Sequence, residues 1–261
     1  MVDARQAAYL QALGVDVYVS RDAPALPLPQ APAPAAPRPG AEARREAIPE
    51  GSVQRRPVVA QPDLAADLGW DDLRAAVATC QRCDLHATRT QTVFGVGNPA
   101  ARWMFIGEAP GAEEDRQGEP FVGRAGQLLT SMLRALGLRR EDVFIANVLK
   151  CRPPGNRDPR PVEAASCRGY LERQVALVNP TLVVAVGRIA AQNLLATETP
   201  IAKLRGKVHS FGAQGWPLVV TYHPAYLLRS PGEKRKAWQD LVQARQLCDR
   251  LGTEASGSAG T

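Results

Sequence analysis

Four short apolar runs, each closed by a glycine or a polar residue, limit what this chain can fold into. They cover 103–106, 143–148, 181–186 and 218–222. Such runs, bounded by turn signals, read as buried strands. Helical patterns fill the gaps. Over 124–136 the apolar positions are Ala125, Leu128, Leu129, Met132, Leu133 and Leu136, one buried face of a helix that Gly137 ends. Residues 161–178, 188–195 and 234–251 read as further helices, 207–211 as a short extra strand, and 73–79 as a short helix opened by Asp71 and Asp72. Strands alternating with helices predict an α/β sandwich around a mainly parallel, four-stranded sheet. In such sheets the site lies beyond the carboxyl ends of the strands. Three of those ends carry polar groups: Glu108 after the first run, Asn147 within the second, His223 after the last. The first run breaks into a Gly/Pro turn, Gly107-Glu108-Ala109-Pro110-Gly111, followed by the acids Glu113, Glu114 and Asp115.

Outside this pattern the chain changes character. Residues 1–20 hold a short helical pattern and then an alternating one, a candidate docking peptide. Seven prolines fall between Pro24 and Pro39, interleaved with alanine. Proline donates no backbone hydrogen bond, so 21–66 reads as an extended, semi-rigid linker. The expected folded domain is 67–251, with 252–261 a disordered Gly/Ser/Ala tail. No run of about 18 apolar residues exists, so no membrane span is expected. The start lacks a secretory pattern, which makes a cytoplasmic protein the expectation. Net charge is +6, and 200–250 holds nine Lys/Arg against three Asp/Glu. That balance favours an anionic partner, nucleic acid first.

Cysteines carry the next signal. Cys80 and Cys83 form a CxxC pair, and Cys151 and Cys167 follow with fifteen residues between them. Four thiolates in two pairs can enclose zinc or an iron–sulfur cluster, and spacing alone does not choose. Cys248, in the terminal helical pattern, reads as an unrelated thiol. His223 opens His223-Pro224-Ala225-Tyr226-Leu227-Leu228-Arg229, an apolar and basic tip that is either a wedge for a base stack or the first turn of a packed helix. Asn147 offers an acceptor and two donors, enough to read a pyrimidine edge. Phe121, just before a helix, is a candidate stacking platform.

Together the 107–111 turn, Phe121-Val122-Gly123-Arg124-Ala125-Gly126, Asn147-Val148-Leu149-Lys150-Cys151-Arg152-Pro153-Pro154, the His223–Arg229 segment and the four cysteines resemble family 4 uracil-DNA glycosylases, the iron–sulfur members of their superfamily. The resemblance covers residues 68 to 250. It implies a three-layer α/β/α fold and a structural [4Fe-4S] cluster on Cys80, Cys83, Cys151 and Cys167. The implied uracil pocket comprises Glu108, Ala109, Pro110, Phe121, Asn147 and His223.

A base inside a duplex cannot be reached, so uracil would be flipped out. Phe121 would stack on it and Asn147 would read its polar edge. His223 would donate to the oxygen that becomes anionic as the N-glycosidic bond breaks. Glu108 would stabilise the cationic sugar or orient water, through its side chain or only through its backbone. Glu114 is a candidate to stand against C5 and reject thymine. Arg152, Arg157, Arg229, Lys203, Arg205 and Lys207 are the expected phosphate contacts, with Leu227 or Leu228 the wedge. Lys150, near Asn147, is the lysine to check for Schiff-base chemistry. A monofunctional glycosylase acting as a monomer on single- and double-stranded uracil-containing DNA is the expectation. The alternatives are a metal-stabilised DNA-binding protein without activity and a glycosylase preferring another deaminated base such as hypoxanthine.

Overall fold

The computed structural model describes residues 65–257. Six strands form one sheet: β1 (Val96–Gly97), β2 (Trp103–Gly107), β3 (Phe144–Asn147), β4 (Leu182–Val186), β5 (Val208–Phe211) and β6 (Trp216–Thr221). Their order is β1-β3-β2-β4-β6-β5. The four expected apolar runs are the central strands, all parallel. Each edge adds one short antiparallel strand, β1 on β3 and β5 on β6. β5 falls on the expected extra strand. β1 is two residues long, too short to leave a periodic pattern.

Among the described residues eight α-helices accompany the sheet: α1 (Trp70–Ala78), α2 (Ala112–Gln117), α3 (Arg124–Ala135), α4 (Pro161–Val178), α5 (Arg188–Leu194), α6 (Ile201–Leu204), α7 (Pro224–Arg229) and α8 (Lys234–Gly257). Alternation along the strands splits the core in two. Met104, Ile106, Val183 and Ala185 face α1, α4 and α5. Trp103, Phe105, Leu182 and Val184 face α3 and α8. Each fully buried aliphatic chain of this kind contributes roughly 1.5–3 kcal/mol. The result is a three-layer α/β/α sandwich, as expected.

Two boundaries differ from expectation. Ala65 is already buried in the first core, so order begins before residue 67. Helix α8 runs on to Gly257, past the expected end at 251. The N-terminal peptide and nearly all of the proline-rich linker lie outside the described residues, as do 258–261.

Chain order sets where a cleft can open. From β2 the chain crosses to β3 on one side, then returns over β2 to β4 on the other. The reversal point lies between β2 and β4, at the carboxyl edge where connections part.

Candidate active site

A cleft of about 720 Å³ opens at that edge. The turn after β2, the end of β3, the start of α5 and the start of α7 all line it, and Phe121 closes one side. The structure thus brings together Glu108, Ala109, Pro110, Phe121, Asn147 and His223.

Pairing places Gly107 beside Asn147 in the β2–β3 ladder. The ladder continues past the strands: Val148 N–H donates to Gly107 O at 2.9 Å and Leu149 N–H to Glu108 O at 3.0 Å. Those bonds fix the backbone of the turn. Asn147 is 2% exposed, and its Oδ1 is buried without a partner. An unpaired buried acceptor is costly, so a ligand donor there would gain more than an exposed one. A Cβ on Gly107 would stand 2.5 Å from both Asn147 Oδ1 and the Phe121 ring. Only glycine lets the two side chains occupy these positions.

Phe121 is held in a left-handed backbone conformation, φ 55°. Such a conformation costs on the order of 1–3 kcal/mol and persists only where the surroundings enforce it. Two ties do so. Arg140 donates to Phe121 O at 3.2 Å, to Pro120 O at 2.8 Å and to Thr130 Oγ1 at 3.4 Å. Glu114 accepts from Val122 N–H and Gly123 N–H, both at 2.9 Å, and from Gly111 N–H at 3.1 Å. Both Glu114 oxygens are therefore taken up in joining the 111 turn to the 121 loop. Glu114 thus has a scaffolding role, and it also lines the cleft in which it is expected to stand against C5. Gly126 also belongs here, since a Cβ on it would meet Phe121 O at 1.8 Å.

His223 is the N-cap of α7. Its Nδ1 accepts from Ala225 N–H at 3.1 Å, which leaves the ring proton on Nε2. Burial, assisted by the nearby Arg229 charge, lowers its pKa to about 4, so the ring is neutral at pH 7. Gly187, at φ 101°, makes room: a Cβ there would lie 2.8 Å from His223 Cβ. The Phe121 and His223 rings are 5.6 Å apart. The other histidines bond to backbone, His86 to Cys83 O and His209 to Leu204 O.

Glu108 is half-buried, and its carboxylate makes no hydrogen bond among the described residues. Burial, then the Asp158 charge, push its pKa up to about 7 against the opposing charge of Arg188. Asp158 and Arg188 are themselves paired at 2.7 Å on the rim. Sequence reasoning passed over both, and also Gly107 and Arg140 as individual residues. Gly107 was legible within its motif; Arg140 carries no local signal.

Several expected contacts move. Leu227 is 1% exposed and packs in the second core, so it cannot be a wedge; Leu228, 38% exposed, remains. Arg205 is bound to Asp240 at 2.7 Å and stacks on Tyr222, inside the fold rather than open to phosphate. Arg157 lines the cleft but pairs with the buried Glu163 at 2.5 Å. Arg152 bonds Asn156 and stays partly open, while Arg229 is exposed on the cleft. Lys150 is 1% exposed and faces away from the cleft, donating to Asn147 O at 2.9 Å and Gln174 Oε1 at 2.6 Å. It is not placed for Schiff-base chemistry.

On the first face of the sheet lie Cys80, Cys83, Cys151 and Cys167, all as free thiols. They sit close enough to repel one another as thiolates. Burial raises Cys83, Cys151 and, to about 12, Cys167. Among the described residues no three His, Cys, Asp or Glu side chains close around a single ion-sized point. Cations surround the thiols. Arg89 Nη1 reaches Cys151 Sγ at 3.1 Å, and Arg82 Nε and Nη1 are buried without a partner. Two buried guanidinium nitrogens lacking acceptors, beside four thiols, fit an anionic thiolate-bound centre. Cys248 lies apart, buried under α8 in the second core.

The family model described as "Uracil DNA glycosylase superfamily" matches residues 94–242. The type-4 uracil-DNA glycosylase of Archaeoglobus fulgidus is 47% identical over 186 residues, covering 69% of this chain and 94% of that protein. That of Thermotoga maritima is 44% identical over 179 residues, 67% and 93% respectively. That of Sulfurisphaera tokodaii is 41% identical over 184 residues, 68% and 84%. The matched span runs from before β1 into α8 and contains every cleft residue named above, and the chain belongs to the uracil DNA glycosylase superfamily, alongside its type-4 members.

Proposed function

We propose that the protein hydrolyses the N-glycosidic bond of uracil flipped out of DNA, leaving an abasic site. The observation that carries this reading is a neutral His223 with its Nε2 proton free, at the same cleft as the unpaired Asn147 Oδ1. Asn147 Oδ1 accepts from uracil N3–H, and its amide N–H donates to O4. Cytosine presents an acceptor at position 3 and a donor at position 4, so it meets the wrong partners. Phe121 stacks on the base face. As the bond between N1 and C1′ lengthens, negative charge gathers on the uracil and positive charge on the sugar. His223, its Nδ1 occupied by Ala225 N–H, donates a hydrogen bond from Nε2 to the anionic oxygen. Glu108, ionised, orients the water that adds to C1′ and balances the sugar's charge. Leu228 fills the stack behind the flipped base, and Arg152 and Arg229 meet phosphate.

The same reading places a [4Fe-4S] cluster on Cys80, Cys83, Cys151 and Cys167. When bound it serves as a staple between the 80–83 loop, the end of the β3 segment and α4, and supplies no group to the glycosidic bond. Such thiolates need a reducing setting, which supports a cytoplasmic protein. The protein is proposed to act as a monomer. The N-terminal peptide is proposed to dock a partner protein, with the proline-rich linker as tether.

The test is purified full-length protein on single-stranded and duplex oligonucleotides carrying uracil, hypoxanthine or thymine mismatches, followed by alkaline cleavage. Uracil strands are expected to break and His223→Ala to excise about 10²–10³-fold more slowly while still binding DNA. No abasic product from uracil DNA would leave the non-catalytic DNA-binding reading. Preference for hypoxanthine would leave the other alternative.

A further inference from the structure

Arg89 touches neither the cleft nor an acid. Its Nη1 donates to Cys80 O at 2.8 Å and meets Cys151 Sγ at 3.1 Å, and its Nη2 donates to Ala78 O at 3.4 Å. One guanidinium therefore spans two of the chain segments that carry the cysteines. Its seat is fixed from the far side. Thr90 N–H donates to both oxygens of the buried Asp115, at 2.9 and 3.1 Å, so this carboxylate anchors the loop. Across the cage, Arg82 stacks over the Tyr170 ring at 5.5 Å with two buried nitrogens unpartnered. A positive charge aimed at a cysteine sulfur, and a second with two buried nitrogens lacking acceptors, are what a site built for a negatively charged occupant presents.

We propose that Arg89 belongs to the cofactor site as the outer partner of its Cys151 corner, where it retains the cluster and favours the cluster's more negative, reduced state. This rests on the cluster reading above. A charge-assisted hydrogen bond to a ligand sulfur draws electron density from the iron–sulfur bond and stabilises added charge. Reduction by one electron breaks no bond, so the hydrogen bond acts on the potential directly. Outer partners of metal ligands typically change affinity by about 10–100-fold.

The experiment compares full-length wild type, Arg89→Gln and Arg89→Lys, purified without oxygen. Three quantities are read: iron per chain, the rate of iron release to a chelator, and the midpoint of a dithionite titration followed by electron paramagnetic resonance. Arg89→Gln is expected to shift the midpoint to more negative potential and to release iron on the order of tenfold faster. Arg89→Lys, which keeps the charge but not the fork, should fall between. Arg89→Gln that folds but holds no iron also supports the assignment. Wild-type midpoint and release rate in both variants overturn it. Absence of iron from the wild type would instead overturn the cluster reading, and the uracil assay stands apart from either result.

Discussion

Burial drives two titratable groups in the cleft in opposite directions. It holds the His223 imidazole at about 4 and lifts the Glu108 carboxyl to about 7. One is a neutral donor across the physiological range, while the other changes charge in the middle of it. If the ionised Glu108 orients water, kcat/KM rises with pH up to about 7 and then levels. No second limb from His223 enters above pH 5. Glu108→Gln should remove the rising limb and lower the plateau by about 10²-fold, within the usual range for acid–base groups. A profile identical to wild type would confine the role of residue 108 to its backbone. The same shifts act on stability with opposite signs. Glu108, raised from 4.5, adds stability that is full at low pH and fades as pH climbs through about 7. His223, lowered from 6.5, adds stability that is present at neutral pH and fades as pH falls toward 4.

At the scale of elements, α7 shows how one turn of helix divides labour. Leu227 faces α3 and the core, while Leu228 faces out beside Tyr226. Leu227→Ala should lower unfolding free energy by about 2–5 kcal/mol in denaturant titration. Leu228→Ala should leave stability within about 0.5 kcal/mol and slow excision more on duplex than on single-stranded substrate. Equal losses on the two substrates would remove Leu228 from the wedge role. The difference between these leucines was not legible in the sequence. Six residues hold less than two helical turns, so periodicity could not say which faced inward. The long apolar runs were legible because both faces of β2, β3 and β4 are buried and nothing polar interrupts them. Helix α2 leaves no apolar pattern in the sequence, since Glu113, Glu114 and Asp115 fill it; yet Asp115 is buried and Glu114 ties two loops. The cleft residues at strand ends were legible from topology. Their supports, Arg140 above all, act across 19 residues of sequence to Phe121 and leave no local trace.

Taken whole, the protein places its cleft, its cysteine cage and its two cores within residues 65–257. Because Ala65 is already packed, a truncation should stop before it. Removing 1–60 is expected to leave oligonucleotide excision at the wild-type rate, measured as above, and to alter only capture of a protein partner. Loss of excision would assign the N-terminal segment a part in DNA binding. The order of pieces along the chain also has a consequence during synthesis. All four cage cysteines are made once residue 167 has been added, whereas His223, at the N-cap of α7, follows only after β6. On the proposed cluster reading, the chain completes its metal ligands and the 107–111 turn before it holds the residue proposed to donate to the base. A product cut short before β6 would carry the four cysteines and Asn147 but lack His223.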